Sequence, residues 1–467
     1  MHSGFINLGN GARNMPIHPI EYRYSTGEMQ NIFSYENRLD LMLKVEAALA
    51  IGHAAVGNIP KEAAETIKRN ASLEIVSKER IQEIEHEIDH DIMAVVKALA
   101  EKCGDAGKYI HLGATSYDIV DTVLALQFKQ GLEVIEKRLL ELLKILLKRA
   151  ENEKNTVCIG RTHGQHAIPT TYGMKFALWA DEIARHIERI SDMRKRVLVG
   201  KLSGAVGTMA SFGEKGFEIR EAMMKELGIK AARITNQVVQ RDIHAEVIMF
   251  LALVSGTLYK IGKEIRNLQR TEIDEVYEPF TAKQVGSSTM SQKRNPHRAE
   301  RVCGLSRVIQ SNVIPALQDI ALEHERDLTN SSVERVIIPE NFVLLDYILK
   351  EMIDILDRLE LNYESIKRNL NLTHGLIMSE RIMIKLVEKG LSRQDAHEIL
   401  RVAAIKVRRE KISFIEALLE NKKVAKHISR KELEELLNPE TYIGTAVQQV
   451  EYIINELTPI LEARLSE

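Results

Sequence analysis

Residues 242–271 read "DIHAEVIMFLALVSGTLYKIGKEIRNLQRT", with apolar side chains at Ile243, Val247, Leu251, Val254, Leu258, Ile261, Ile265 and Leu268. Every step between them is three or four residues, which places them on one face of an α-helix. At 1.5 Å rise per residue, such a stretch makes a rod of roughly 40 Å. Four further segments carry the same pattern. Residues 121–155 are rich in Leu and Ile. Residues 172–199 turn Phe176, Ile183, Ile187, Ile190 and Val197 to one side. Residues 297–326 form a fourth rod that Pro315 is expected to kink. Residues 339–368 form a fifth, with Pro339 suited to a first turn. Five long rods predict an all-α bundle. Apolar stripes wider than one chain needs predict helices shared between subunits, a monomeric bundle being the plainer alternative.

The composition fits that reading. Aromatic residues make up 5% of the chain and only 10 prolines interrupt it, which favours helix over a β-sandwich. Lys+Arg 64 against Asp+Glu 66 gives a net charge of -2, an argument against broad nucleic-acid or membrane-surface binding. Three cysteines, Cys103, Cys158 and Cys303, are too few and too far apart for a disulfide framework or a zinc ribbon, and they suit a reducing cytoplasm. The opening "MHSGFINLGNGARN" has no apolar core like a signal peptide's. No uninterrupted apolar run approaches the ~18 residues that a membrane span needs. Three helical domains are expected: residues 1–114 with helices near 34–56 and 78–102, a central long-helix bundle over 115–365, and shorter helices over 366–467. In the last, Gly390 marks a stop and Ser392 a start, with "SRQD" opening like a capping box. Strand content should be small.

Polar clusters interrupt the rods. "EHEIDHDI" (85–92) contains His86-Glu87-Ile88-Asp89-His90, which on a helix would turn both histidines to one face as zinc peptidases require, although no third ligand stands out. "HLGATSYDIVDT" (111–122) sets His111, Thr115 and Ser116 before a rod, where either hydroxyl could serve simply as a helix cap. "GRTHGQHAIPTT" (160–171) holds His163 beside glycines, a plausible proton carrier near neutral pH. "QRDIHAE" (240–246) opens the 242–271 rod, where Asp242 is at least a charge favoured by the helix dipole. "GSSTMSQKRNP" (286–296) combines hydroxyls, glycine and cations. "ERDLTNSSVER" (325–335) offers Arg326, Ser331 and Arg335 as an anion grip, or a solvated charge run.

In this order the clusters resemble the fumarase/aspartase superfamily, and within it the branch acting on succinylated purine nucleotides. The likeness runs from "RYSTGEM" (23–29) to "LNPETYIGTA" (437–446); "QRDIHAE" and "ERDLTNSSVER" are its specific pieces. One departure is Met290-Ser291, where the family has Met-Pro. The resemblance implies β-elimination of fumarate from an N-succinyl group. That chemistry needs a base, an acid on the opposite face, and cations near the growing carboxylate charge. By resemblance Ser287 is the base and His163 the acid. Lys293 and neighbouring N–H groups would stabilise the alkoxide, and Glu300 would orient His163. Lys293 and Asn295 would hold the succinyl carboxylates, which Thr115, Ser116, Thr162 and Ser288 would line. Gln240 would contact substrate, and His90 and Asp91 would lie near base and ribose. Arg23, Tyr24, Arg326, Ser331 and Arg335 would hold the phosphate, with Arg301 adding a contact. The resemblance further implies a homotetramer with sites shared between subunits, and no metal or redox cofactor. Rival readings are a relative taking another diacid such as argininosuccinate, the zinc peptidase, and a non-catalytic scaffold; a phosphate-free site should lack Arg326 and Arg335, and a scaffold need not keep Ser287 and His163.

Overall fold

A computed structural model describes residues 17–280, 290 and 293–466. The described chain begins with α1 (Gly27–Phe33), α2 (Tyr35–Ala55), α3 (Lys61–Asn70), α4 (Lys78–Ile88) and α5 (Asp91–Cys103). Next come α6 (Ser116–Asn152), strands β1 (Val157–Thr162) and β2 (Gln165–Thr171), and α7 (Tyr172–Val197). After α8 (Gly216–Leu227) and α9 (Arg241–Leu268) come α10 (His297–Ser311), α11 (Val313–Gln318) and α12 (Thr329–Asp357). The C-terminal part carries α13 (Tyr363–Asn371), α14 (Ser379–Glu388), α15 (Arg393–Glu410), three short helices, and a last helix over Ala446–Ser466. The fold is all-α, as expected.

Two compact units emerge. The first comprises Met1–Arg138, His186–Leu258 and Gly304–Lys350. Its core is built around α2, where Leu43, Val45 and Leu49 join Ile67, Ile81, Leu99, Ile219 and Met223 in one buried cluster. The second comprises Leu139–Arg185, Tyr259–Cys303 and Glu351–Glu467. One of its cores gathers α14, α15 and the short helices around Leu386, Leu400, Phe414 and Leu418. A smaller cluster of Ile159, Leu370, Ile377 and Met378 seats β1 on α13.

Helix α9 follows the sequence pattern closely. Of its eight apolar positions, all but Ile243 are buried. By length and composition it is apolar enough to cross a membrane, but 67% of its most apolar window is buried within the protein, as in a core helix. Two rods differ from expectation. The 297–326 rod breaks: α10 ends at Ser311 and α11 at Gln318. Pro315 falls in the first turn of α11, where its missing N–H costs nothing, so the chain restarts there instead of bending through. The 339–368 rod shifts to Thr329–Asp357, with Pro339 in its interior. The buried stripe Ile338, Phe342, Leu345 and Leu349 continues past the proline, and its burial outweighs the ~3 kcal/mol a mid-helix proline costs. The expected helix over 78–102 is two helices, because Asp89 takes a left-handed conformation (φ 52°) and ends α4.

Candidate active site

His163 lies at the tip of the β1–β2 hairpin. The strands pair antiparallel from Val157–Thr171 to Thr162–Gln165, which leaves His163 and Gly164 as a two-residue turn. Both have positive φ (53° and 73°), the conformation of a type I′ turn, whose twist matches the strands. Gly164 adopts it freely, whereas His163 is strained, a condition common at functional sites. Thr162, the last residue of β1, and His163 are both exposed. The hairpin was unforeseen in the sequence beyond a loop between rods. The hairpin is anchored by Glu275, which is fully buried, through Arg161 near the tip and Tyr172 just past the end of β2. Glu275 accepts hydrogen bonds from the Arg161 guanidinium, from Tyr172 Oη at 2.7 Å and from Asn369 Nδ2 at 2.8 Å. Burial alone would raise the Glu275 carboxyl, but these donors hold it below the usual carboxylate range. Gly173 allows α7 to start against the end of α6: a Cβ there would stand 2.5 Å from Lys154 Cα.

In the first unit a second group of residues converges. Asp118 Oδ2 accepts from Thr115 N at 2.8 Å at the start of α6. This carboxylate, not the Thr115 or Ser116 hydroxyl, serves the backbone there. Asp118 is buried against Lys201 Nζ (2.5 Å) and Ser203 N (2.8 Å), so the loop before α6 is fixed from within. His111 Nδ1 lies 2.7 Å from buried Glu46 Oε1 and secures the same loop. Arg241 forms a bidentate pair with Asp121 (2.8 and 2.9 Å) and also binds Glu334, while His244 Nδ1 meets Glu334 at 2.8 Å. This buried network ties α6, α9 and α12 together. It is why Arg241 and His244, more than exposed Asp242, define "QRDIHAE". Burial would raise Glu334, but His244 and Arg241 pull it down to about 2.

Around this frame lies a cavity of about 120 Å³, lined by Arg38, Tyr117, Gln127, Ser331, Glu334 and Arg335 over a floor that includes Phe33, Leu124 and Ile338. Arg335 Nη2 reaches Asp91 Oδ2 at 3.1 Å. The Arg326 guanidinium stacks on the Tyr117 ring at 3.5 Å and donates to Gln237 Oε1 at 3.0 Å. Its Nε and Nη2 are buried without a partner. Ser331 and Arg335 thus line the cavity, with Asp91 held by Arg335 and Arg326 stacked on the lining Tyr117. Gln240 donates to Asn236 Oδ1 (3.2 Å) in the loop that also carries Gln237. Arg23 lies 5.6 Å from the Tyr24 ring, which in turn stands 5.6 Å from Tyr347. Four polar lining residues, Arg38, Tyr117, Gln127 and Glu334, escaped the sequence reading. Tyr117 sat hidden within a quoted motif. Arg38 sat near the start of α2, a helix buried on most sides with no apolar stripe to set it apart; burial, and next the adjacent Arg335, push its guanidinium below its usual range.

His90 caps α5, its Nδ1 accepting from Met93 N at 3.3 Å. His86 belongs to α4, so the break at Asp89 puts the two histidines on different helices and removes the shared face a zinc-peptidase pair requires. Near α10, Glu278 accepts from Arg298 N and Ala299 N (3.2 and 2.5 Å) and caps the helix. Glu300 is exposed in its first turn, and no hydrogen bond within this chain joins it to His163. Arg301 Nη1 pairs with Glu351 at 3.2 Å. Lys293 is exposed and Asn295 half-buried. Ser287 and Ser288 lie outside the described residues.

A lyase family profile matches residues 21–311, and one for the adenylosuccinate lyase C-terminus matches residues 375–453. The chain is 60% identical to an adenylosuccinate lyase of Pyrococcus horikoshii over 94% of its own length and 98% of that protein. It is 55% identical to one of Methanocaldococcus jannaschii, covering 95% and 96% of the two chains. Among solved structures, a fumarate lyase from Mesorhizobium sp. BNC1 superposes with a TM-score of 0.86 at 31% identity, covering 92% of this chain and 98% of that one. With both family profiles and near-complete relatives in agreement, the chain belongs to the adenylosuccinate lyase family of the fumarase/aspartase superfamily.

Proposed function

We propose that this protein is a carbon–nitrogen lyase that releases fumarate from adenylosuccinate, giving AMP, and from succinyl-aminoimidazole carboxamide ribotide, giving AICAR, in purine nucleotide synthesis. The observation that carries the substrate assignment is the grip of Arg326, Ser331 and Arg335 around the cavity in the first unit. A diacid without phosphate, such as argininosuccinate, has no use for it. Buried Arg326 nitrogens without a partner suit an incoming oxyanion.

In the proposed reaction Ser287, as alkoxide, removes the proton next to the succinyl carboxylate. Lys293 and local N–H groups stabilise that alkoxide and the charge gathering on the carboxylate. His163 then protonates the leaving nitrogen, its strained turn setting the imidazole at the hairpin tip, and Glu300 orients it from another subunit. Thr115, Ser116, Thr162, Ser288 and Asn295 hold the succinyl group. Gln240, His90, Asp91 and Arg301 contact the remainder, and Arg23 and Tyr24 complete the phosphate grip. A homotetramer is supported by apolar residues exposed on the rods: Met249 and Leu253 on α9, and Ile314 and Leu317 on α11. A soluble, cytoplasmic setting accords with three buried cysteines that form no disulfide among the described residues. The test is fumarate formation by the purified protein given adenylosuccinate, with argininosuccinate as comparison. Release from the first alone supports the assignment; release from the second, or from neither, defeats it.

A further inference from the structure

In the second unit, a separate cavity of about 520 Å³ opens between β2, the segment after α13 and the end of α15. Its polar lining is His166, Thr373, His374, Arg408 and Lys411, and no carboxylate lines it. Among the described residues none of these cationic or titratable side chains has an ion-pair partner. Among the described residues, His166 Nδ1 and Thr373 Oγ1 are buried with no hydrogen-bond partner. A buried polar atom left unmet is destabilising, so a pair of them beside one cavity marks a place where a ligand supplies the missing bonds. Arg408 offers a planar fork and Lys411 a point charge, the combination suited to an oxyanion. Leu372, Leu376 and Ile377 add apolar lining, and the volume exceeds what a bare ion needs. Burial, and next Arg161, push the His166 imidazole below its ordinary range, so it is neutral at pH 7 and keeps one N–H to donate and one nitrogen to accept. Arg408 and Lys411 also sit at the C-terminal end of α15, where cations complement the helix dipole. That role explains their charge but not the unmet His166 and Thr373 atoms across the cavity.

We propose that this cavity is a binding site for a small phosphorylated molecule, with the phosphate held by Arg408, Lys411 and His374 and met by His166 and Thr373, and the body of the ligand against the leucine wall. The site is separate from the Arg326–Ser331–Arg335 grip, whose residues all belong to the other unit. The experiment is calorimetric titration of the full-length protein with inorganic phosphate. It is run on the native protein, on an Arg408→Gln/Lys411→Gln double variant and on Arg335→Ala. Arg408 and Lys411 are exposed, so the double variant should fold, as circular dichroism will check. Its phosphate binding should weaken at least ~10-fold at one class of sites, the loss of one charge-assisted bond or more, while Arg335→Ala leaves that class intact. A double variant that binds phosphate as the native protein does overturns the proposal. So does a titration in which fumarate, a dianion without phosphorus, binds this site as well as phosphate.

Discussion

If Glu275 is the anchor of the His163 hairpin, replacing it should damage stability and catalysis together. The perturbation is Glu275→Gln, which keeps the shape and removes the charge. In the native protein three donors converge on this fully buried carboxylate, and one of them, Arg161, is a cation. A charge-assisted hydrogen bond is worth roughly 1.5–3 kcal/mol, and stripping one partner from a buried ion pair costs about 3–5 kcal/mol. The variant also puts an amide N–H₂ where one carboxylate oxygen had accepted from two donors. A loss near 4 kcal/mol is therefore expected. Arg161→Met should cost about 3 kcal/mol, because Tyr172 and Asn369 still serve the carboxylate. The double variant should lose at least ~1.5 kcal/mol less than the sum, since the second change removes an already stranded partner. Denaturation at one fixed protein concentration gives these values. The anchor fixes the hairpin, and a shift of about 1 Å at a catalytic group costs roughly 100-fold. Fumarate release by Glu275→Gln should thus fall about 100-fold in kcat with a smaller change in KM. Additive single-variant losses, or a Glu275→Gln protein with native kcat, would refute the anchoring argument.

Other outcomes follow from the same geometry. Arg335→Ala should raise the dissociation constant of adenylosuccinate by roughly 10-fold or more, while the unphosphorylated succinyl-nucleoside loses little; equal losses by calorimetry would remove the phosphate assignment. Asp319 is buried, and burial, with Glu334 next, pushes its carboxyl up to about 7. The folded chain therefore binds that proton more tightly than the unfolded chain, and stability falls as pH rises from about 4 to 7. Asp319→Asn should flatten this part of the melting temperature–pH curve, and an unchanged slope would contradict the burial argument. His163→Ala and Ser287→Ala, inactive alone, should recover about a quarter of native activity after denaturation and reassociation together if, as proposed, each site of a homotetramer draws the two residues from different chains. Mixed tetramers verified by mass spectrometry yet lacking activity would place both residues in one chain's site.

The rods were legible because a stripe with three- and four-residue steps survives any tertiary context; Val247 to Leu268 are buried as that spacing requires. The ends of rods were not. Pro315 and Pro339 were each read by local rule, and in the second case the buried stripe through Phe342 overrode it. The H-E-x-x-H pattern misled because its helical meaning depends on Asp89 staying helical, and its left-handed backbone has no signature in the neighbouring residues. The hairpin hid because β1 and β2 lie between long helices, with Pro169 and Gly160 weakening any strand pattern. Arg326, Ser331 and Arg335 stand out by their clustering in sequence, whereas Arg38 and Glu275 reach their places only through tertiary packing and carry no local signal.

In the proposed reaction a serine base and a histidine acid drive fumarate elimination from adenylosuccinate. The direct measurement is kcat for Ser287→Ala and for His163→Ala, set beside the adenylosuccinate dissociation constant of each variant. Both should lose about 100-fold or more in kcat, because each removes a proton-transfer step, while binding adenylosuccinate close to the native level. A near-native kcat in Ser287→Ala would hand the base to another group, with Ser288 next in line. A near-native kcat in His163→Ala would take the acid away from the hairpin tip.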